Sequence, residues 1–249
     1  MSEQQQFRMR IVFAKQGRLA LLSHLEVARA LERAVRRARL PFAISNGFSP
    51  HMKIAFGAAL PVGVGGTREL VDLTLTEYVP PEDALDALVR ASVPDLMVLE
   101  CAYVEPKAPA ASAAFPISTY QTVLSAPVAS LPIPLNVHVI RKKKERVLAV
   151  GEFLVDKPRL EGCVLTFALE QKPTGSLRPD KLLEACLALV NDATGEVQGD
   201  VEKAQGTADD AGKLEMTVKN AEDTTTGRHQ ADEPLRVLAI TRIDQRAKA

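Results

Sequence analysis

Two stretches of strict alternation frame the first third of the chain and limit what it can fold into. Phe7, Met9, Ile11 and Phe13 alternate with Arg8, Arg10 and Val12, and Val71, Leu73 and Leu75 alternate with Asp72, Thr74 and Thr76. A period of two sends one set to each face of a sheet, so both stretches are strands with one buried side. An amphipathic helix lies between them. "SHLE" (23–26) supplies its capping box and Pro41 ends it just after Leu40. Leu25, Ala28, Leu31, Val35 and Ala38 form its expected apolar side, and Arg29, Arg33, Arg36 and Arg37 a separate charged one. Met52, Ile54 and Phe56 mark a short strand, "PPEDALDALVRA" (80–91) a second helix with acids in its first turn, and "LMVLECAYV" (96–104) a fourth strand.

The order β-α-β-β-α-β predicts an α+β protein whose residues 1–106 form a ferredoxin-like domain, with both helices on one sheet face. Arg8, Arg10 and Lys53 then fall on the opposite face. "EPKAPAASAAFP" (105–116) has linker composition, so 107–116 is taken as the connection. Residues 117–249 predict a second α+β domain, for which another ferredoxin-like fold is the suggested form. Its strands are expected near 118–125, 135–141, 146–155 and 163–170, with a helix near 179–190 and a last strand at "LRVLAITRI" (235–243). Residues 192–233 are polar and acidic and predict a disordered insertion.

The net charge of zero hides an asymmetry. Residues 1–60 carry ten basic and three acidic side chains, a net of +7, whereas 192–234 carry eleven acidic and four basic, a net of −7. A basic end can attract nucleic acid, phosphate or an acidic partner, or it can pair with acidic groups of its own chain. The opening residues, MSEQQQFRMR, lack the apolar core of a secretory signal, which predicts a cytoplasmic protein. Cys101, Cys163 and Cys186 are widely spaced, form no metal motif, and are expected to serve as small apolar core residues.

Several chemistries lack their motif. No G-x-x-x-x-G-K-[ST] is present, and Gly63–Gly66 precedes a strand where a phosphate loop would precede a helix. G-x-S-x-G and H-E-x-x-H are absent as well. His24 sits in the first turn of the arginine-bearing helix, and a neutral imidazole there could serve as a general base or simply bond to backbone. His51 follows a proline in a turn. The basic residues Arg8, Arg10, Arg18, Arg29, Arg33 and Lys53 are spread over three elements, and arginine forks match phosphate geometry. With eight Phe, three Tyr and no Trp, base stacking is a minor term and phosphate contact the main one.

The segment from Arg8 to Val64 resembles the opening of the radical-SAM-associated protein family. The shared features are a basic strand, Lys15, Gly17 and His24 before a helix, Ser45, Gly47, Phe48 and Pro50 in a turn, then Pro61 and Gly63. "GSLRPDKLLEA" (175–185) and "ITR" (240–242) are similar to later parts of the same family. The resemblance implies a stand-alone form of a domain often fused behind a radical SAM enzyme. The chain has no C-x-x-x-C-x-x-C triplet, so a [4Fe–4S] cluster and S-adenosylmethionine are expected only in a partner radical SAM protein, with no cofactor or metal on this chain.

The resulting expectation is an accessory protein that presents RNA or another polyanion to a radical SAM enzyme. Arg8, Arg10, Arg18, Arg29, Arg33 and Lys53 would hold the polyanion; His24, Ser45, Gly47, Phe48, Pro50 and His51 would shape the specific part of the surface. Two alternatives stand beside it. One is a metal-independent RNA endonuclease or RNA-modifying enzyme using His24. The other is an adaptor that docks an acidic protein.

Overall fold

The structure is a computed structural model and describes residues 5–105, 107–141, 143–204 and 233–248. The first half contributes β1 (Phe7–Lys15), α1 (His24–Arg37), β2 (Ile54–Phe56), β3 (Val64–Leu75), α2 (Pro81–Ala91) and β4 (Leu96–Tyr103). α3 (Ala111–Ala114) follows, then β5 (Ile117–Leu124), β6 (Asn136–Arg141), β7 (Lys144–Ala149), β8 (Arg159–Glu161), β9 (Val164–Glu170), α4 (Pro179–Ala204) and β10 (Val237–Arg246). No helix among the described residues is long and apolar enough to cross a membrane.

One mixed sheet runs through both halves in the order β4-β1-β3-β10-β5-β9-β8, with β2 also on β3 and β6-β7 forming a separate ribbon. β1 is antiparallel to β3 and β4, and β2 is antiparallel to β3. The seam is a short parallel pairing of β3 with β10, Ile240 opposite Val64, Thr241 opposite Gly65 and Arg242 opposite Gly66. Main-chain pairing therefore crosses the boundary that composition places at 107–116.

Two apolar clusters flank that seam. Met9, Ile11, Phe13, Val71 and Leu73 pack with Val27, Leu31 and Val35 of α1 and Ala84 and Leu88 of α2. Met52 is buried in the same cluster, with Phe7, Ile54 and Phe56 at its margin, as strand alternation requires. The second cluster joins Tyr120, Leu165, Phe167 and Leu169 to Leu182, Leu183 and Cys186 of α4, and it takes in Leu60 and Val64 from the first half. Each half thus lends side chains to one continuous structure.

Four sequence expectations need correction. Leu25 is exposed, because the inward stripe of α1 runs through Val27, Leu31, Ala34 and Val35 at i, i+4, i+7 and i+8. Segment 107–116 is no free linker: it forms α3, buries Ala111, and accepts side-chain hydrogen bonds from β1 at Ala108 and Pro109. The strand expected at 146–155 ends at Ala149 and gives way to a 3-10 turn over Val150–Glu152. Finally, α4 continues to Ala204, so the segment expected to be disordered from 192 begins as helix. Its remainder, 205–232, lies outside the described residues.

The glycines before β3 are explained by the seam. A Cβ on Gly66 would overlap the Glu69 carboxylate, and one on Gly65 would sit 3.3 Å from the Lys15 carbonyl oxygen. Gly63 has open space but a φ of +85°, in the left-handed region. Gly66→Ala should destabilise the protein by about 3–5 kcal/mol, since it displaces one member of a buried ion pair. Gly63→Ala should cost only about 1–2 kcal/mol from backbone strain. Gly151→Ala, with nothing near its Cβ and no positive φ, should change stability by less than about 0.5 kcal/mol. Urea melts of the three variants check this ranking.

Candidate functional site

A charged residue buried inside a strand needs a specific partner. At the seam, Arg242 is 1% exposed and Glu69 6%. Arg242 donates from Nε to Glu69 Oε1 at 2.9 Å and from Nη2 to the second carboxylate oxygen, a bidentate pair between β10 and β3. The same Nη2 donates to the Ala58 carbonyl at 2.6 Å, and Nη1 reaches Ser118 Oγ of β5 at 3.4 Å. Burial works against the Arg242 charge, but Glu69 outweighs it and holds the guanidinium above its usual range. Lys15, 3% exposed, ends β1 beside the pair and donates to the Val64 carbonyl at 3.2 Å. Burial pulls the Lys15 ammonium below its usual 10.5, with Glu69 opposing and Arg242 adding to the shift. Tyr120, also buried, has its phenol pushed up chiefly by burial, with Arg242 and Ser118 opposing the shift.

This polar cluster lies beneath the loop Gly57–Pro61. On one side of the loop a small cavity of about 20 Å³ is lined by Lys15, Glu69, His24, Phe13, Phe56 and the loop itself. His24 is exposed and meets the Phe56 ring edge-on, with centroids 4.9 Å apart. On the other side a cleft of about 50 Å³ reaches Arg242, Ser118 and Tyr120, with Arg178 at its margin. Lys15, His24 and Pro61 from the first half, Arg178 and Arg242 from the second, are thereby drawn to the two flanks of a single loop.

The sequence-predicted basic surface is divided by its counterions. Arg10 makes a bidentate pair with the buried Asp72, at 2.7 and 3.0 Å, and stacks over Phe115 at 5.4 Å. Arg8 lies 3.6 Å from the same carboxylate and donates to the Ala108 and Pro109 carbonyls at 2.8 and 3.0 Å. Both arginines point away from the helices, as alternation requires, but the 107–116 segment covers them. Arg18 meets Asp95 at 3.4 Å in an exposed pair, and Lys53 donates to Gln6 at 3.3 Å. Thus Arg8, Arg10, Arg18 and Lys53 already have partners.

Arg29, Arg33, Arg36 and Arg37 remain exposed along α1. Only Arg36 forms an ion pair among the described residues, with Glu32 at 3.3 Å, and it also lies over Phe42. The turn residues form a separate projection. Ser45 Oγ accepts from the His51 backbone amide at 3.1 Å, and bridges of Ile44 with Met52 close a tongue that holds Gly47 at φ +134°. Phe48, Pro50 and His51 on this tongue are all exposed. His24 has no hydrogen-bonding partner among the described residues, so no neighbouring group sets its tautomer. No group of three or more His, Cys, Asp or Glu among the described residues could hold a metal. Cys186 is buried in the second cluster and Cys101 partly buried, each thiol pushed up to about 11 by burial, which fits packing residues.

Residues 8–169, most of the chain, match the model of a family described as uncharacterized proteins conserved in bacteria (DUF2344). The chain belongs to this family. No curated protein matches it. The matched span contains Lys15, His24 and Glu69, whereas Arg178 and Arg242 lie beyond it.

The signal for the seam was in the sequence but looked ordinary. Glu69 and Arg242 each sit within strand-forming runs, and in an alternating pattern a charge is taken as solvent-facing. Only the pairing of β3 with β10, more than 170 residues apart, brings them together.

The cluster makes a prediction about pH. The folded-state pKa of Lys15 lies below its unfolded value near 10.5. Between the two, the unfolded chain binds more protons, so stability rises with pH across that window. Lys15→Met should remove this rise. Subtracting the two pH profiles isolates Lys15 from Tyr120, whose raised pKa acts in the opposite sense above 10. Glu69→Gln should cost about 3–5 kcal/mol by stranding Arg242, and Lys15→Met should cost less. Urea titrations across pH test both statements, and an alkaline rise that persists in Lys15→Met would contradict them.

Proposed function

We propose that the protein is a polyanion-binding accessory protein, with RNA as the polyanion and the outer face of α1 as the contact surface. The carrying observation is the exposed row of Arg29, Arg33 and Arg37, none in an ion pair among the described residues. Basic residues in the last turn of a helix can simply complement its dipole, which accounts for Arg36 and Arg37. Arg29 and Arg33 lie in earlier turns, where the dipole gives no such reason. Arg90 of α2 joins Arg37 along an open groove of about 410 Å³ at the ends of the two helices, so the positive surface extends past one helix. Guanidinium groups at three- and four-residue spacing can follow successive phosphates.

The accessory role and the radical SAM partner rest on the resemblance carried by Lys15, Gly17, His24, Ser45, Gly47, Phe48, Pro50, Pro61 and Gly63. A ferredoxin-like reading of the first half is supported by the strand order β4-β1-β3-β2 and its antiparallel directions. In such a unit the helices usually back the sheet, and here they also carry the exposed arginines, because the far sheet face is occupied by 107–116.

Binding to single-stranded RNA should weaken steeply with salt. The triple variant Arg29→Ala, Arg33→Ala, Arg37→Ala should lower the slope of log K against log salt by about 2, at roughly 0.7 per lost phosphate contact. Fluorescence anisotropy at several salt concentrations gives the slope, and an unchanged slope sinks the helix face as the contact. Co-purification with a radical SAM protein tests the partner separately.

A further inference from the structure

The cleft under the Gly57–Pro61 loop is lined by polar groups of one kind. Ser118, Tyr120, Gln171, Ser176, Arg178 and Arg242 all carry hydrogen-bond donors, and no carboxylate lines it. Arg242 commits Nε and Nη2 to Glu69 and Ala58, leaving its Nη1 edge to Ser118 in a long 3.4 Å bond. Arg178 is held by Asp180 through Nε at 3.0 Å and Nη2 at 2.6 Å, and its Nη1 has no partner among the described residues. Two guanidinium groups, one buried and one at the lip, thus line one cleft, each with its Nη1 edge only weakly bonded or unbonded.

The charge balance points the same way. Arg242 is buried with Glu69 as its carboxylate partner, and the buried Lys15, which donates to the Val64 carbonyl, lies near enough for the charges to influence it. Whenever Lys15 is protonated, this interior holds two cations to one anion, an imbalance that an approaching anion relieves. The cleft also abuts Pro179, the first residue of the 26-residue helix α4, where the helix dipole favours negative charge. Its volume of about 50 Å³ exceeds the roughly 10–15 Å³ that a single water requires. That is room for a small polyatomic ion and too little for a nucleoside.

We propose that this cleft binds a phosphoryl group, held between Arg178 and Arg242 with Ser118, Ser176 and Gln171 as further donors. A phosphoryl group offers three acceptor oxygens and about two negative charges, so it uses more of these donors than a carboxylate does. The group is either free phosphate or the phosphate end of a larger ligand whose remainder lies outside the cleft. The site is separate from the α1 face and does not depend on it.

The test is thermal unfolding of the full chain at constant ionic strength, titrated in parallel with inorganic phosphate, a nucleoside 5′-monophosphate and acetate. Phosphate should raise Tm in proportion to the logarithm of its concentration above Kd, reaching about 5–10 °C at roughly 100-fold above Kd, and acetate should not. A larger shift with the nucleotide assigns the group to a larger ligand, and an equal shift assigns it to free phosphate. Arg178→Ala, a change at the exposed lip that spares the buried pair, should abolish the shift, as should Ser176→Ala in large part. Arg33→Ala on α1 should leave it intact while weakening RNA binding, so the two sites fail or succeed independently. The proposal is overturned if phosphate raises Tm no more than acetate does, or if Arg178→Ala retains the rise.

Discussion

The structure depends on one buried ion pair, Arg242 with Glu69, because it closes the one strand pairing that, among the described residues, joins the two halves of the large sheet. A parallel pairing of three residues is a weak seam by itself. The guanidinium strengthens it by bonding across strands to Glu69 and also to the Ala58 carbonyl and Ser118. One side chain thereby ties β10 to β3, to the 57–61 loop and to β5. A pair of this kind need not stabilise the fold more than an apolar one of equal volume would, but it makes mispairing costly. Slipping β10 by a single residue would send Arg242 to the other face and leave Glu69 buried without its partner.

That constraint reaches the surface. The 57–61 loop lies over the pair because Arg242 binds its carbonyl, and the two small cavities exist because the loop is held there. Gly65 and Gly66 are small because the Lys15 backbone and the Glu69 carboxylate occupy the space beside them. On the other flank Asp72 performs a similar service for Arg8 and Arg10, which then grip segment 107–116. Of the cations in the first sixty residues, Arg8 and Arg10 are thus answered by Asp72 and Arg18 by Asp95 from the next forty. The row on α1 is among those left over.

Local pattern was sufficient for much of this. β1, β3, β4 and both early helices follow from alternation, capping and proline position, and the facing of Met52 and Ile54 followed as well. Local pattern misplaced Leu25, because a stripe chosen by residue type alone ignores the 100° step between neighbours. It could not see α3, whose Ala-rich segment is ordered by contact with Arg8 and Arg10. Nor could it see the short β8, which forms only as the partner of β9. For the candidate site, the residues behind the family resemblance included Lys15, His24 and Arg242 without indicating that they flank one loop. Glu69, Ser118 and Tyr120 gave no local sign, since their roles come from a strand pairing of very long sequence separation.

The central claim is that the seam is as stable as the rest of the sheet because the ion pair locks it. Native-state hydrogen exchange at the amides of Val64–Gly66 and Ile240–Arg242, compared with Ile11 in the middle of β1, measures this directly. In the wild-type protein the most protected seam amides should open only with global unfolding, matching Ile11. In Glu69→Gln they should exchange through a local opening while Ile11 stays protected. Seam amides that already exchange faster than Ile11 in the wild-type protein would contradict the account.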